Sequence, residues 1–168
     1  MSEPVQPLRL LVILGGGGHT TEILRLVDLF AARGAPFAYT YLVTWEDSLS
    51  VQRIRQAGPV YRVNRPSYKS YSGLHQAFGT LRALAQTLGI MLRVRPQAVV
   101  TAGPAIAVPV AVWARLLGSK VIFIETGSRV TQLSRTGRLM RPLAHLYFVQ
   151  WPELHAVYPW AVYAGRLL

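Results

Sequence analysis

Residues 10–22 read LLVILGGGGHTTE: an apolar run of strand length, four glycines, one histidine, then a helix start. Gly15, Gly16, Gly17 and Gly18 leave bare backbone N–H groups at the mouth of that helix. A helix N-terminus carries about half a positive charge. Glycine lets backbone come close to a ligand with no Cβ in the way. The guest that suits such a turn is an anion, above all a phosphate or pyrophosphate. His19 stands where the loop hands over to the helix, which sets a titratable group beside that guest. Its imidazole can act as a general base, donate to a phosphate, or face water as a helix-start residue. No Gly-Lys-Ser/Thr follows, so the turn is not a kinase-type P-loop. Gly15 and Gly17 fit the first two glycines of a dinucleotide fingerprint, but Thr20 occupies the third place.

Outward from this turn, strands and helices alternate. Strand patterns fall at 10–14, 37–43, 60–63, 98–101, 121–125, 146–149 and 161–164. Helical patterns fall at 20–33, 47–56, 74–93, 106–117, 136–144 and 152–157. This alternation predicts an α/β fold, a Rossmann-like parallel sheet with helices on both faces. The near-continuous apolar strands agree, because parallel strands are buried on both sides. No internal repeat, low-complexity tract or linker interrupts 1–168, so one domain is expected. Ligands of such sheets bind beyond the C-terminal ends of the strands. That edge collects 15–19, 45–47, 102–104 and 125–129.

The chain has 168 residues, enough for a real core. Eighteen Lys and Arg against seven Asp and Glu give a net charge of +11, which points to an acidic partner. Cysteine is absent, which excludes disulfides and thiolate metal sites. The four histidines are scattered, and no metal is expected. The uncharged stretch 96–114 is long enough to suggest a membrane span. It contains Pro96, Gly103, Pro104 and Pro109, so a buried strand, turn and helix is the better reading.

Two further loops share the ligand edge. Thr101-Ala102-Gly103-Pro104 is a second small-residue turn, weak as a signal by itself. Glu125 ends the apolar strand KVIFIE and enters Thr126-Gly127-Ser128-Arg129. A carboxylate at a buried strand end needs a partner. Glu125 either pairs with Arg129 or binds sugar hydroxyls. The helix at 74–93 is amphipathic, with Leu74, Phe78, Leu81, Leu88 and Leu92 at helical spacing. Arg82 and Arg93 flank this stripe, and Lys69 lies in the aromatic, basic loop before it. Periodicity alone fits a core-facing helix. Net charge and that loop favour contact with an anionic membrane through Lys69, Leu74, Phe78, Arg82 and Arg93.

The segments GGGGHTTEIL, TAGPAIAVP, IETGSRVTQLSRTGRL, FVQWPEL and YAGRLL occur together in this order. The chain thereby resembles the membrane-associated, acceptor-binding subunit of the two-subunit lipid-linked N-acetylglucosaminyltransferase and its bacterial polysaccharide-synthesis counterparts. The resemblance runs from about Leu10 to Leu168. It implies the N-terminal half of a GT-B glycosyltransferase, made as a separate polypeptide. A partner subunit would hold the UDP-sugar, and the acceptor would be a polyprenyl diphosphate carrying a sugar. No cofactor and no nucleic acid are expected.

The peptidoglycan N-acetylglucosaminyltransferase has both halves fused and a similar Gly-rich loop ending in His. By that likeness His19 is the catalytic base or a pyrophosphate contact, and Glu125 lies near the acceptor. Gly15, Gly16, Gly17, Gly18, Thr20, Gly103, Pro104, Gly127 and Arg129 are the candidate phosphate- and substrate-binding residues. Eukaryotic members of the resembled family begin with a membrane-spanning helix that this sequence does not show. This favours a bacterial-type member, peripheral on the cytoplasmic face of the plasma membrane. The competing expectations are a non-catalytic scaffold that recruits its partner to the membrane, and a stand-alone nucleotide-binding Rossmann enzyme.

Overall fold

A computed structural model describes residues 6–65 and 73–167, without the side chains of 73–76. Seven strands form one parallel sheet: β1 (Leu8–Ile13), β2 (Phe37–Thr44), β3 (Val60–Val63), β4 (Ala98–Thr101), β5 (Lys120–Ile124), β6 (Leu146–Val149) and β7 (Val162–Tyr163). Between them run α1 (Gly17–Ala32), α2 (Ser48–Gln52), α3 (Gly73–Val94), α4 (Ala107–Leu116), α5 (Arg135–Met140) and α6 (Pro152–Val157). The strand order is β3-β2-β1-β4-β5-β6-β7. The chain winds outward one way from β1, crosses over through α3 and winds the other way from β4. The order therefore reverses between β1 and β4, and the carboxyl ends of those two strands splay their loops apart into a crevice.

The period-2 alternation of a strand shows directly in β1. Leu11 and Ile13 enter a core with Val99, Val110, Phe123 and Met140 on one face. Leu10, Val12 and the following Leu14 enter a second core with Ile23, Val27, Tyr41 and Val100 on the other. Both cores need apolar residues at successive positions, which is why the strands read as unbroken hydrophobic runs.

Local chemistry sets the helix ends. Gly16 caps α1 at φ 71°, where a side chain would be strained, and the helix starts at Gly17, earlier than the expected 20. Asp47 caps α2 by accepting the Ser50 N–H, and Ser134 caps α5 by accepting the Gly137 N–H. Both helices end earlier than the expected 56 and 144, α2 at Gln52 and α5 at Met140.

On α3 the buried stripe is Ala83, Thr87 and Met91, not the leucine stripe. Phe78, Leu81 and Leu92 are exposed, beside exposed Arg82 and Arg93. The core-facing reading of that apolar stripe fails because the small residues, which let α3 approach α4 closely, face inward instead. Lys69 and the side chain of Leu74 lie outside the described residues. No described helix is long and apolar enough to cross a membrane.

Candidate functional site

The crevice at the β1/β4 reversal is a cleft of about 430 Å³. Gly15, Gly16, Gly17 and His19 form one wall, and Gly103, Pro104, Ala105 and Ile106 the facing one. Thr44, Glu46, Asp47 and Arg65 close a third side. Two sequence-distant glycine turns thus meet, and their contact explains their composition. A Cβ on Gly15 would collide with the Pro104 ring. A Cβ on Gly103 would lie 3.2 Å from His19 Cε1, and Gly103 also sits at φ 88°. Only glycine admits both the turn and the imidazole there.

The first turn of α1 faces the cleft without a side-chain cap and without an acidic residue. Its leading N–H groups and the positive end of its dipole are therefore open to an anion. His19 is half-buried, and its Nδ1 is buried with no hydrogen-bond partner among the described residues. Among the described residues, no carboxylate hydrogen-bonds the ring.

The turn is braced from beneath. Thr20 is fully buried, and its Oγ1 accepts the Gly16 N–H at 3.1 Å. The same hydroxyl bonds Ser50 Oγ at 2.6 Å, and Ser50 Oγ donates to Asp47 Oδ2 at 2.6 Å. Thr20 was expected to touch substrate. Its hydroxyl is instead spent on the turn's own backbone, because a helix that starts on glycines needs a bond from the following turn to fix it.

Glu125 is a second correction. It is fully buried and does not line the cleft. Its Oε1 accepts the Thr126 N–H at 3.2 Å, and its Oε2 accepts the Ser134 N–H at 3.1 Å and the Tyr147 hydroxyl at 2.9 Å. Gly137 packs directly on Oε2. Burial pushes the Tyr147 phenol far above its ordinary pKa, and the neighbouring carboxylate and the bond to it add to the shift. Tyr147 therefore stays a donor to Glu125. Arg129 is exposed, and no ion pair joins it to Glu125 among the described residues. In this geometry Glu125 holds the loop and the start of α5 together.

Gly127 is likewise committed: its N–H donates to Glu22 Oε1 at 2.9 Å, and its carbonyl accepts from Trp151 Nε1 at 2.6 Å. It offers no free donor to a phosphate. Gly18, Gly127 and Arg129 do not line the cleft. Of the expected substrate contacts, Gly15, Gly16, Gly17, Gly103 and Pro104 do, with His19.

Sequence reasoning named neither Glu22 nor Arg65 as a site residue, and it set Asp47 on the ligand edge without giving it a role. Glu22 is 1 % exposed and binds both the Thr126 hydroxyl (3.0 Å) and the Gly127 N–H. It lies one turn after His19, so a single helix carries the cleft histidine and the anchor of the 125–129 loop. Nothing in its local sequence marks it, since its partners are more than a hundred positions away. Asp47 was findable as the cap of a Ser-Leu-Ser helix start.

The chain is 34% identical to the UDP-N-acetylglucosamine transferase subunit ALG14 of Mus musculus, covering 98% of this chain and 85% of that protein. It is also 34% identical to the subunit of the same name from Homo sapiens, with the same coverage. Both are eukaryotic, not the bacterial-type counterparts that the sequence favoured. The crystal structure of MurG from Acinetobacter baumannii superposes with a TM-score of 0.72 at 20% identity. That match covers 88% of this chain but only 43% of MurG, so the chain spans less than half of that two-part molecule. The expected Rossmann-like, GT-B-type fold is the one found. Residues 10–167 match the family described as "Oligosaccharide biosynthesis protein Alg14 like", and the chain belongs to that family.

Proposed function

We propose that the chain is the acceptor-binding subunit of a glycosyltransferase that moves N-acetylglucosamine or a related sugar from a UDP-sugar onto a polyprenyl-diphosphate-linked sugar. The observation that carries this reading is the cleft: an uncapped helix N-terminus, two glycine turns and His19 around one anion-sized space at the sheet's switch point. The diphosphate of the acceptor lies against the 15–17 turn. The acceptor hydroxyl loses its proton to a base and attacks the anomeric carbon, and the UDP leaves with the bonding pair, inverting that centre. Asp47 and Glu46 can read sugar hydroxyls from the cleft's third side. The donor sits in the partner, as the word "subunit" in the relatives' names supports.

The sheet itself supports a partner. Parallel sheets are covered on both faces, yet among the described residues a groove runs along one face of β4, β5 and β6. Ala98, Val100, Ile122, Ile124 and Phe148 floor an apolar groove of about 700 Å³ there. The purified chain alone should transfer no sugar, and should do so once reconstituted with a donor-binding half-domain. Leu146 borders the groove and is 47% exposed, so Leu146→Asp should spare the fold and weaken association. Robust transfer by the chain alone refutes the reading. A scaffold without chemistry is the second reading. His19 in the cleft argues against it, since a scaffold needs no titratable group there.

Attachment to the bilayer belongs to the same proposal, since a polyprenyl acceptor cannot leave it. Phe78, Leu81 and Leu92 are exposed on α3 beside Arg82 and Arg93. Each Lys or Arg near an anionic surface contributes about 1 kcal/mol, and salt screens it. Charge reversal at Lys69, Arg82 and Arg93 should release the protein from anionic vesicles in co-sedimentation. Equal binding to neutral and anionic lipid at every salt concentration refutes the electrostatic part.

A further inference from the structure

The motif FVQWPEL has no part in the cleft, and the structure gives it one outside. Gln150 and Trp151 follow β6, and each has one hold on the 125–129 loop and another on residues 164–167. Gln150 is 2% exposed. Its Nε2 donates to the Glu125 carbonyl at 3.1 Å, and its Oε1 accepts the Leu167 N–H at 2.8 Å. Trp151 Nε1 donates to the Gly127 carbonyl at 2.6 Å, and the Arg166 guanidinium lies 3.9 Å from the centre of its ring. Residues 164–167 also form one border of the apolar groove. The 125–129 loop is in turn fixed to α1, the cleft helix, through Glu22.

We infer that Gln150 and Trp151 are positioning residues that couple the seating of residues 164–167, at the groove, to the 125–129 loop. The physical basis is the pairing of bonds. A buried amide that loses its acceptor role on one side is free to rotate away from its donor role on the other. A cation stacked on an indole fixes the ring whose N–H holds Gly127. Residues 166 and 167 are therefore felt at 126 and 127, although no bond joins them directly. The coupling stands on geometry alone; its effect on sugar transfer rests on the reading proposed above.

The experiment is a pair of double-mutant cycles on the full chain, read by amide hydrogen exchange at Thr126 and Gly127, with Val99 and Val100 as the fold control. Arg166→Ala should speed exchange at 126 and 127 on the order of fivefold, the worth of about one hydrogen bond. Trp151→Phe keeps an aromatic ring, smaller than the indole, but deletes the donor, and in that background Arg166→Ala should add nothing. Leu167→Pro with Gln150→Met forms the second cycle, should Trp151→Phe fail to fold. In the reconstituted pair, Arg166→Ala should raise the acceptor KM more than it lowers kcat. Unchanged exchange in both single variants, or additive effects in the cycles, overturns the coupling. Altered exchange with an unaltered acceptor KM overturns the positioning role in the reaction. A wild-type pair that transfers no sugar overturns the proposed function and leaves the exchange result intact.

Discussion

His19→Ala lowers sugar transfer by the reconstituted pair about a hundredfold to ten-thousandfold if His19 is the general base. If it is only a phosphate contact, the loss is about tenfold to a hundredfold, the worth of one hydrogen bond to a charged group. The unpartnered Nδ1 bears on the choice, because a general base is commonly oriented by a third group and none is present here. His19→Gln separates the two roles. An amide can still donate to a phosphate but cannot take a proton, so substantial rescue by Gln identifies the contact role. Folding should survive both changes, since the ring packs on Gly103 and contributes little to either core. Steady-state kinetics across pH with thermal melts decide the matter. Unchanged turnover in His19→Ala removes His19 from the site.

Glu125→Ala is expected to be the most destabilising of the site substitutions. It strips the acceptor from the Thr126 and Ser134 N–H groups and from the Tyr147 hydroxyl. Each abandoned buried donor costs about 1–3 kcal/mol, so the total is about 3 kcal/mol or more. For a domain of this size the melting temperature then falls by roughly 10 °C. Tyr147→Phe removes one donor and its ring stays, so the loss is about 1 kcal/mol. Arg129→Ala should leave the melt unchanged, because its side chain is exposed and not paired with Glu125. A melt of Glu125→Ala that matches the wild type would show that the buried network is not what holds the loop.

Much of the molecule was legible without coordinates. The alternation of apolar runs with 3.6-residue periodicity identified seven strands and six helices. The glycine turn after β1 and the small-residue turn after β4 were both placed on the ligand edge. That they face one another followed only from strand order. A β-α-β pattern does not say which strands are neighbours, and the cleft exists because β1 pairs with β4 rather than ending the sheet.

Two of the expected site residues that do not line the cleft share a cause. Thr20 and Glu125 are polar residues beside a suspected site, and sequence position cannot tell a side chain that faces the cleft from one that faces the interior. Direction is set by where the buried donors lie. For Glu125 those donors come from 126, 134 and 147, on three different elements. The core-facing reading of the α3 stripe, which periodicity alone fitted, fails for a related reason. Periodicity finds a face but not its direction, and a helix that must approach its neighbour closely turns its small residues inward.

By itself, then, the sequence determined the parallel α/β fold, the glycine turn after β1, the absence of cysteine chemistry and the family, because these depend on local pattern and on residue type. Tertiary structure alone decided which loops meet, that Glu22 and Glu125 clamp the 125–129 loop rather than lining the cleft, and that an apolar groove runs along one sheet face among the described residues. Those depend on pairings across as many as a hundred positions, which only the folded chain brings within bonding distance.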